Sequence, residues 1–279
     1  MMNTKTIRYI LYVVIIIFCV VAIGLGVYAQ FFTKEPVQDA YGNDISAGGN
    51  IVTAQDVNQS FIDLFTNEFY SNYDESTIAK VDDTKELVYT FYSDNQTVEG
   101  KYSMNINIPV INIQSDVVTG FNNLTQSIFV DKINSVMAGT SVYTIYNLDY
   151  TAYVNNNLLS VAIKATIKEG DNPQRVIVQT YNYDLVEDKA VTVKEILEDR
   201  DIDETVVENR IKTVVQNASN DANKMAESGY TVYQRDVNDE MYQIDNITNF
   251  IEGPNGELYI IFAYGNNNYT SEMDIVQIW

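Results

Sequence analysis

The sequence of 279 residues contains no histidine, one cysteine, one tryptophan and four prolines. The lack of histidine excludes Ser-His-Asp and Cys-His catalysis, histidine-ligated zinc sites and the most frequent general base of enzymes. Because the single cysteine, Cys19, lies in an apolar stretch near the amino terminus, the rest of the chain can form no disulfide and must be stabilised by its core. There is also no Ser-x-x-Lys motif and no glycine-rich phosphate loop, which removes two further classes of catalytic site.

The apolar stretch near the amino terminus, Tyr9–Phe32, contains no charged residue. As a helix it is long enough to cross a hydrocarbon core of about 30 Å. Secretory signals have shorter apolar cores, of about 7 to 15 residues, so the length favours a retained transmembrane anchor. Val27 and Ala29 occupy the small-residue positions that a signal peptidase accepts, so secretion after cleavage behind Ala29 is the alternative.

The charges that flank this stretch predict its orientation. Lys5 and Arg8 precede it, and the residues that follow it are nearly neutral or negative, so the amino terminus is expected in the cytoplasm. We therefore predict a single-pass protein of the plasma membrane. Its parts are a cytoplasmic tail (1–8), a transmembrane anchor or signal sequence (9–32), a flexible stalk (33–50) and an extracytoplasmic domain (51–279), with an N-terminal part (51–139) and a C-terminal part (140–279).

The predicted extracytoplasmic part is strongly acidic. It holds all 38 acidic residues and 15 of the 17 basic ones, a formal charge of 15 − 38 = −23. This charge disfavours binding to nucleic acid or anionic lipid and attracts cationic proteins. The plainer interpretation is that the charge serves only solubility. The lack of disulfides suits a bacterial surface protein better than a eukaryotic ectodomain.

Hydrophobic periodicity predicts two helices around a β-hairpin in the N-terminal part. The first helix begins after Thr53, and its apolar face comprises Val57, Phe61, Leu64, Phe65 and Phe69. Residues 86–113 alternate in two halves around Asp94–Asn95, which predicts the hairpin. Ser115 caps the second helix, which ends at Gly139. Its predicted buried face comprises Val117, Phe121, Leu124 and Ile128.

The C-terminal part is predicted to contain an antiparallel meander, a long helix and three more strands. The central strand of the meander, 158–168, alternates between an apolar face and a wet face that includes Ser160 and Lys164. The long helix ends at Gly229, and its apolar face comprises Val207, Ile211, Val214, Ala218, Ala222 and Met225. The last strands cover 242–250, 258–264 and 274–278. The predicted fold class is α+β, with antiparallel sheets and packed helices, preceded by one N-terminal transmembrane helix.

The acidic residues provide the only candidates for a catalytic or metal-binding site. Asp199, Asp201 and Asp203 imitate the start of a calcium loop, but Glu204 and Arg210 occupy the positions that need glycine and a bidentate glutamate. We interpret these acids as complements to the N-terminal dipole of the long helix, and predict no metal and no cofactor. Paired carboxylates of a glycan-acting enzyme remain an alternative, since the sequence does not separate a buried pair from a solvated face.

Several segments together resemble a known family of bacterial extracytoplasmic domains. They are "INIPVINIQSDVVTGFNNLTQSIFVDKINSVM", "LLSVAIKATI", "YNYDLVEDKAVTVKEIL" and "FIEGPNGELYIIFAYG". Over about residues 104–279 the chain is similar to the domain shared by RsiV-like anti-sigma factors and certain peptidoglycan deacetylases. The chain departs from that family at "KEGDNPQ", where the family has a Gly-Gly-Ala-His-Gly type turn, and its tail is too short to hold a sigma factor.

The resemblance implies a non-catalytic binding module at the cell envelope, in a family of which one member recognises lysozyme. The expected ligand is therefore lysozyme, another basic protein or cell-wall glycan. Two loops are expected to contact it, because binding residues concentrate on loops held by a rigid sheet. The first comprises Glu169, Gly170, Asp171 and Asn172, and the second comprises Tyr264, Asn266, Asn267, Asn268 and Tyr269. A glycan-acting enzyme or accessory, and a structural surface protein, are the alternatives.

Overall fold

The computed structural model describes residues 54–139, 141–264 and 272–279. The predicted anchor and stalk, the cleavage positions Val27 and Ala29, and Asn266–Tyr269 of the second predicted loop lie outside the described residues. Within the described ranges, no helix is long and apolar enough to cross a membrane.

The described residues form an α+β fold with two sheets. The helices in these ranges are α1 (Ala54–Asp63), α2 (Asp116–Met137), α3 (Val193–Asp199) and α4 (Glu204–Glu227). The strands of the larger sheet are β1 (Phe69–Ser71), β2 (Val88–Val98), β3 (Tyr102–Ile111), β4 (Thr144–Asn155), β5 (Leu158–Glu169), β6 (Arg175–Asp184) and β7 (Lys189–Ala190). The smaller sheet contains β8 (Phe250–Glu252), β9 (Leu258–Tyr264) and β10 (Glu272–Ile278).

The larger sheet is mixed, whereas the sequence predicted antiparallel sheets. Its order is β2-β3-β4-β5-β6-β7, and β3 pairs with β4 in parallel because α2 carries the chain back across the sheet. The short strand β1 also pairs with β4 in parallel, farther along the same edge. Asn67, with a φ of 61°, lies just before β1, and its side-chain oxygen accepts a hydrogen bond from the Tyr150 N–H at 2.9 Å.

The meander β4-β5-β6 confirms the prediction for this part of the chain. In the preceding hairpin, by contrast, β2 and β3 continue through Asp94–Asn95 and turn at Gly100, whose φ is 72°. Asp94 and Asn95 pair with Ile106 and Asn105 in the middle of the ladder, so their turn propensity is overridden by strand pairing.

Helix α2 covers one face of the larger sheet, but its buried face differs from the predicted one. Ser115 caps the helix as predicted, and Gly139 follows its end with a φ of 90°. The buried residues are Val118, Phe121, Thr125, Phe129, Ile133 and Val136. Val117, Leu124 and Ile128 are 41 to 51% exposed, so of the predicted face only Phe121 is correct. The apolar periodicity of this helix is broad and does not distinguish its core face from the flank beside it.

The smaller sheet covers part of the opposite face of the larger sheet, which the sequence predicted to be wet. Ser160 is 1% exposed, and its hydroxyl donates to the Asn182 side-chain oxygen at 2.6 Å and accepts from the Glu252 N–H. The Asn182 amide donates to the Phe250 carbonyl at 2.9 Å. These bonds tie β8 to β5 and β6, so the face of β5 that carries Ser160 is buried by a polar junction.

The remaining predictions for helices and strands are partly confirmed. Helix α1 ends at Asp63, earlier than predicted, and Phe69 belongs to β1. Helix α4 buries Val207, Ile211, Val214 and Ala222, but Met225 is 47% exposed. Strands β9 and β10 lie where predicted, whereas the predicted strand 242–250 is largely replaced by two short 3₁₀ turns, Glu240–Tyr242 and Ile244–Asn246, before β8. In α1 and α4 the prediction fails at the C-terminal end of the helix. There the apolar periodicity of the sequence continues past the residues that pack against the rest of the fold.

Asn112, 2% exposed, anchors the segment before β2. Its amide donates to the carbonyls of Asp82 and Glu86, at 2.8 and 3.1 Å, and its side-chain oxygen accepts from the Asp82 N–H at 2.8 Å. Asn112→Ala leaves these backbone groups without partners, so we expect a loss of about 2–4 kcal/mol in the free energy of unfolding, measured by urea denaturation. An unchanged stability would show that water replaces the amide.

Candidate functional site: an exposed tryptophan on an acidic surface

The first predicted binding loop is a tight turn between β5 and β6. Glu169 pairs with Lys132 at 3.1 Å and with Arg175 at 2.6 Å. Burial acts to raise the pKa of Glu169, but these two cations lower it more, so the net pKa lies below its ordinary value. Gly170 adopts a φ of 53° over Val142. Asp171 and Asn172 are exposed, so only these two residues of the loop present side chains that are free to meet a ligand.

The second predicted loop begins at a buried residue. Tyr264 is 3% exposed, which corrects the expectation that its ring is available to a ligand. Its hydroxyl donates to Asp274 at 2.7 Å and shares a hydrogen bond of 2.8 Å with Tyr242. Burial raises the pKa of Tyr242 to about 12, so both hydroxyls stay protonated at neutral pH. Tyr264 therefore stabilises the end of β9.

Arg235 ties the segment after α4 to the β9–β10 hairpin. Its guanidinium donates to both carboxylate oxygens of Asp274, at 2.7 and 3.0 Å, and lies 3.1 Å from Glu272. The same group lies over the Tyr264 ring, 4.7 Å from its centroid, and the Arg235 side chain is 6% exposed. The bidentate pair is therefore largely removed from water and fixes the long segment between α4 and β8 against the smaller sheet.

A surface feature that the sequence did not single out surrounds the single tryptophan. Trp279 is 38% exposed and donates its indole N–H to the Gly256 carbonyl. The Arg200 guanidinium lies over the ring, 5.0 Å from its centroid, and donates to the same carbonyl at 3.0 Å. These contacts hold the indole from one side and leave part of the ring exposed.

A buried carboxylate positions Arg200 below the tryptophan. The Glu252 side chain is 2% exposed and forms an ion pair with the Arg200 guanidinium. Burial raises the pKa of Glu252, and the charge of Arg200 opposes this shift without cancelling it. Arg200 itself is 29% exposed, so its far side reaches solvent beside the indole. Glu252 is therefore a positioning residue for the exposed Arg200–Trp279 pair.

Acidic residues flank Arg200 in the chain. Asp199, Asp201 and Asp203 are exposed and lie on both sides of Arg200 in the chain. Carboxylate oxygens of Glu204 and Asp245 lie 3.2 and 3.7 Å from the ammonium nitrogen of Lys194. We call Arg200, Trp279 and the three aspartates the Trp279 surface.

The acids of this surface do not form a metal site. No group of three potential ligand residues is placed to hold a metal ion anywhere in the described ranges. Asp203 caps α4 instead, because its carboxylate accepts a hydrogen bond from the Thr205 N–H at 2.7 Å. This agrees with the helix-dipole interpretation for Asp203, whereas Asp199 is the last residue of α3 and does not fit it.

Comparisons with known proteins give a remote likeness only. No family model matches the sequence, and a search of curated proteins found no match. Two similar solved structures are DUF3298 family proteins of bacteria, each 10% identical to this chain. The protein from Pseudomonas aeruginosa PAO1 has a TM-score of 0.36 and covers 69% of this chain and 88% of its own. The protein from Bacteroides fragilis NCTC 9343 has a TM-score of 0.31, with coverages of 68% and 89%.

Proposed function

We propose that this protein is a non-catalytic binding protein of the bacterial cell envelope, anchored by Tyr9–Phe32, that recognises a cationic protein. Lysozyme is the first ligand to test, because the chain resembles a family with a lysozyme-recognising member. The observation that carries the proposal is the Trp279 surface, where an exposed indole is stacked on an arginine that exposed aspartates flank in the chain. Tryptophan and arginine dominate the energetic centres of protein interfaces.

The charge distribution supports a basic partner. The whole chain carries a net charge of −21, and a field of this sign steers a cationic protein towards the surface before contact. Steering alone weakens steeply with salt, since exposed charges are screened beyond about 10 Å at 0.1 M. An aromatic anchor adds apolar contact that salt does not screen. The Trp279 surface therefore offers both electrostatic attraction and apolar contact.

The buried carboxylates support binding over turnover. A glycan hydrolase needs two carboxyl groups that flank the substrate, one of them free to act as an acid. Glu252 is paired with Arg200, and Asp274 is paired with Arg235. If the enzyme alternative holds, incubation with peptidoglycan releases reducing ends. Our proposal expects no release above a control without protein.

Removing the indole tests the proposed site. We expect Trp279→Ala to weaken the binding of lysozyme by the full chain in detergent by at least about tenfold, measured by isothermal titration calorimetry. Tyr230→Ala is the matched control, because Tyr230 is 65% exposed and removal of its ring is expected to leave the affinity unchanged. Equal effects of the two changes would contradict a specific role of Trp279.

Cell-wall glycan is the second candidate ligand, favoured by the same residue, since an exposed indole offers an apolar face for stacking. Titration with soluble peptidoglycan fragments separates the two ligands. Heat with fragments and none with lysozyme would replace the first proposal with the second. A structural surface protein without a discrete ligand would give heat with neither.

A further inference from the structure

The hairpin between β8 and β9 contains the only Asn-Gly dipeptide of the sequence, Asn255–Gly256. Pro254 and Asn255 are exposed at its tip. The Gly256 N–H donates to the Gly253 carbonyl at 3.1 Å and closes a four-residue turn, and the Gly253 N–H donates to the Glu257 carbonyl at 2.7 Å. Gly256 has a φ of 87°, so the turn requires glycine there. The fold therefore places an exposed asparagine directly before an obligatory glycine.

An asparagine that precedes glycine loses its side-chain amide without an enzyme. The backbone nitrogen of the glycine attacks the side-chain carbonyl carbon, and the new C–N bond closes a five-membered succinimide ring. The amide nitrogen leaves as ammonia, with the proton that the backbone nitrogen gives up. Water then opens one of the two C–N bonds of the ring and leaves either aspartate or isoaspartate, in which the main chain runs through the side chain. Because glycine has no Cβ, the attacking nitrogen is unhindered.

Glu257 restrains the side chain that would react. Its carboxylate accepts the Asn255 backbone N–H at 3.0 Å and the Asn255 side-chain amide at 2.8 Å. The second bond makes the amide carbon a weaker electrophile and fixes its position relative to the Gly256 nitrogen. Since Glu257 is only half-buried and Asn255 is exposed, water competes for both bonds. Exposed turns also open at a low free energy, so Glu257 is expected to slow the reaction without preventing it.

The same turn holds the tryptophan. The Gly256 carbonyl accepts the Trp279 indole N–H, and it accepts the Arg200 guanidinium at 3.0 Å. Isoaspartate at position 255 adds one backbone atom directly before Gly256. The longer turn displaces the carbonyl from both donors, and hydrogen bonds weaken steeply when their distance and angle change. The reaction at the tip of the hairpin therefore acts on the exposed indole.

We propose that Asn255–Gly256 is a site of spontaneous deamidation, and that its isoaspartate product releases the Trp279 indole from the Gly256 carbonyl. Water is the only co-reactant. The rate rises with pH, because the attacking nitrogen must give up its proton. The released ammonia is not recovered, so the modification accumulates with the age of the protein. The site is independent of the ligand, and a negative result here does not bear on the binding of lysozyme.

Incubation of the full chain in detergent at mildly alkaline pH, followed by proteolysis and mass spectrometry, tests the site. We expect the peptide that contains position 255 to gain the mass difference between an amide and a carboxyl group, and to become a substrate of protein isoaspartate methyltransferase. Glu257→Ala is expected to react at least about fivefold faster, since both hydrogen bonds to Asn255 are lost. Glu257→Gln, which keeps one acceptor oxygen, is expected to react at an intermediate rate.

Asn255→Gln is the matched control for the reaction, because its longer side chain would have to form a six-membered ring. We expect no modification at position 255 in this variant. No product in the unchanged chain or in Glu257→Ala, over several half-lives of the isolated peptide "IEGPNGEL", would overturn the proposed site. Equal rates in the unchanged chain and in Glu257→Ala would overturn the restraint by Glu257.

Fluorescence tests the consequence for the indole. All tryptophan emission comes from Trp279, and we expect its maximum to move to longer wavelength in proportion to the isoaspartate content, because the indole gains contact with water. Asn255→Gln, incubated in the same way, is expected to keep its spectrum. Asn255→Asp adds the charge without lengthening the backbone, so a smaller shift is expected. Isoaspartate without a shift, or an equal shift in Asn255→Gln, would overturn the release of Trp279.

Discussion

Replacement of Arg235 by methionine is expected to lower the free energy of unfolding by about 3–5 kcal/mol. The change leaves Asp274, which is 7% exposed, without the bidentate partner that lies 2.7 and 3.0 Å away. It also removes a guanidinium from Glu272 and from the Tyr264 ring. Because the free energy of unfolding of a typical domain is only about 5–15 kcal/mol, this single change removes a large part of it. Urea denaturation followed by circular dichroism measures it.

An exposed ion pair supplies the control for this prediction. Lys194, whose side chain is 43% exposed, pairs with Glu204 and Asp245, so Lys194→Met is expected to cost less than about 1 kcal/mol. If Arg235→Met costs no more than Lys194→Met, the Arg235 cluster contributes little to the fold and does not hold the hairpin. The Asp274 charge would then be stabilised by water.

Replacement of Arg200 by methionine is expected to cost about 3 kcal/mol near neutral pH and much less in acid. The change leaves the charge of Glu252, whose side chain is 2% exposed, without its ion-pair partner. Burial already raises the pKa of Glu252, and loss of the Arg200 charge raises it further. A carboxyl whose pKa is raised by folding destabilises the fold most above the raised pKa, and this penalty is lost as the pH falls from the raised pKa to the ordinary value. Urea denaturation between about pH 8 and pH 5 measures the difference.

Glu252→Gln isolates the cause of that pH dependence. In this background the buried group carries no charge, so the further change Arg200→Met is expected to cost less than about 1 kcal/mol at any pH. A cost that is the same in both backgrounds, or that grows as the pH falls, would show that packing against Trp279 explains the role of Arg200. The Trp279 surface would then lack its electrostatic support.

Local signals in the sequence predicted those helices and strands that are defined by residues close together in the chain. Ser115 and Gly139 mark the ends of α2, and the alternation in β5 identifies one of its two buried faces. The parallel pairing of β3 with β4 escaped prediction, because it depends on how α2 crosses the sheet. The predicted turn at Asp94–Asn95 failed because turn propensity is weak against a long paired ladder. Topology and strand partners are properties of the whole fold.

The candidate site was harder to predict for a related reason. Tyr264 is a tyrosine at the start of an asparagine-rich loop, and only the packed structure shows that its hydroxyl is bound to Asp274. Trp279, Arg200 and Glu252 are distant in sequence and meet through the packing of β8 and β10 beside α3 and α4. The one available signal was that the single tryptophan and "FIEGPNGELY" occur in the same C-terminal part.

Calorimetric titration of the full chain in detergent with lysozyme, at low and at high salt, distinguishes specific recognition from attraction by charge alone. Our proposal is that an aromatic anchor on an acidic surface recognises a cationic protein. It predicts saturable binding with a stoichiometry of one ligand per chain that weakens with salt but persists at high salt, because contact with the indole is not screened. The absence of heat, or heat that vanishes completely at high salt, would contradict recognition of lysozyme and reduce the acidic charge to a role in solubility.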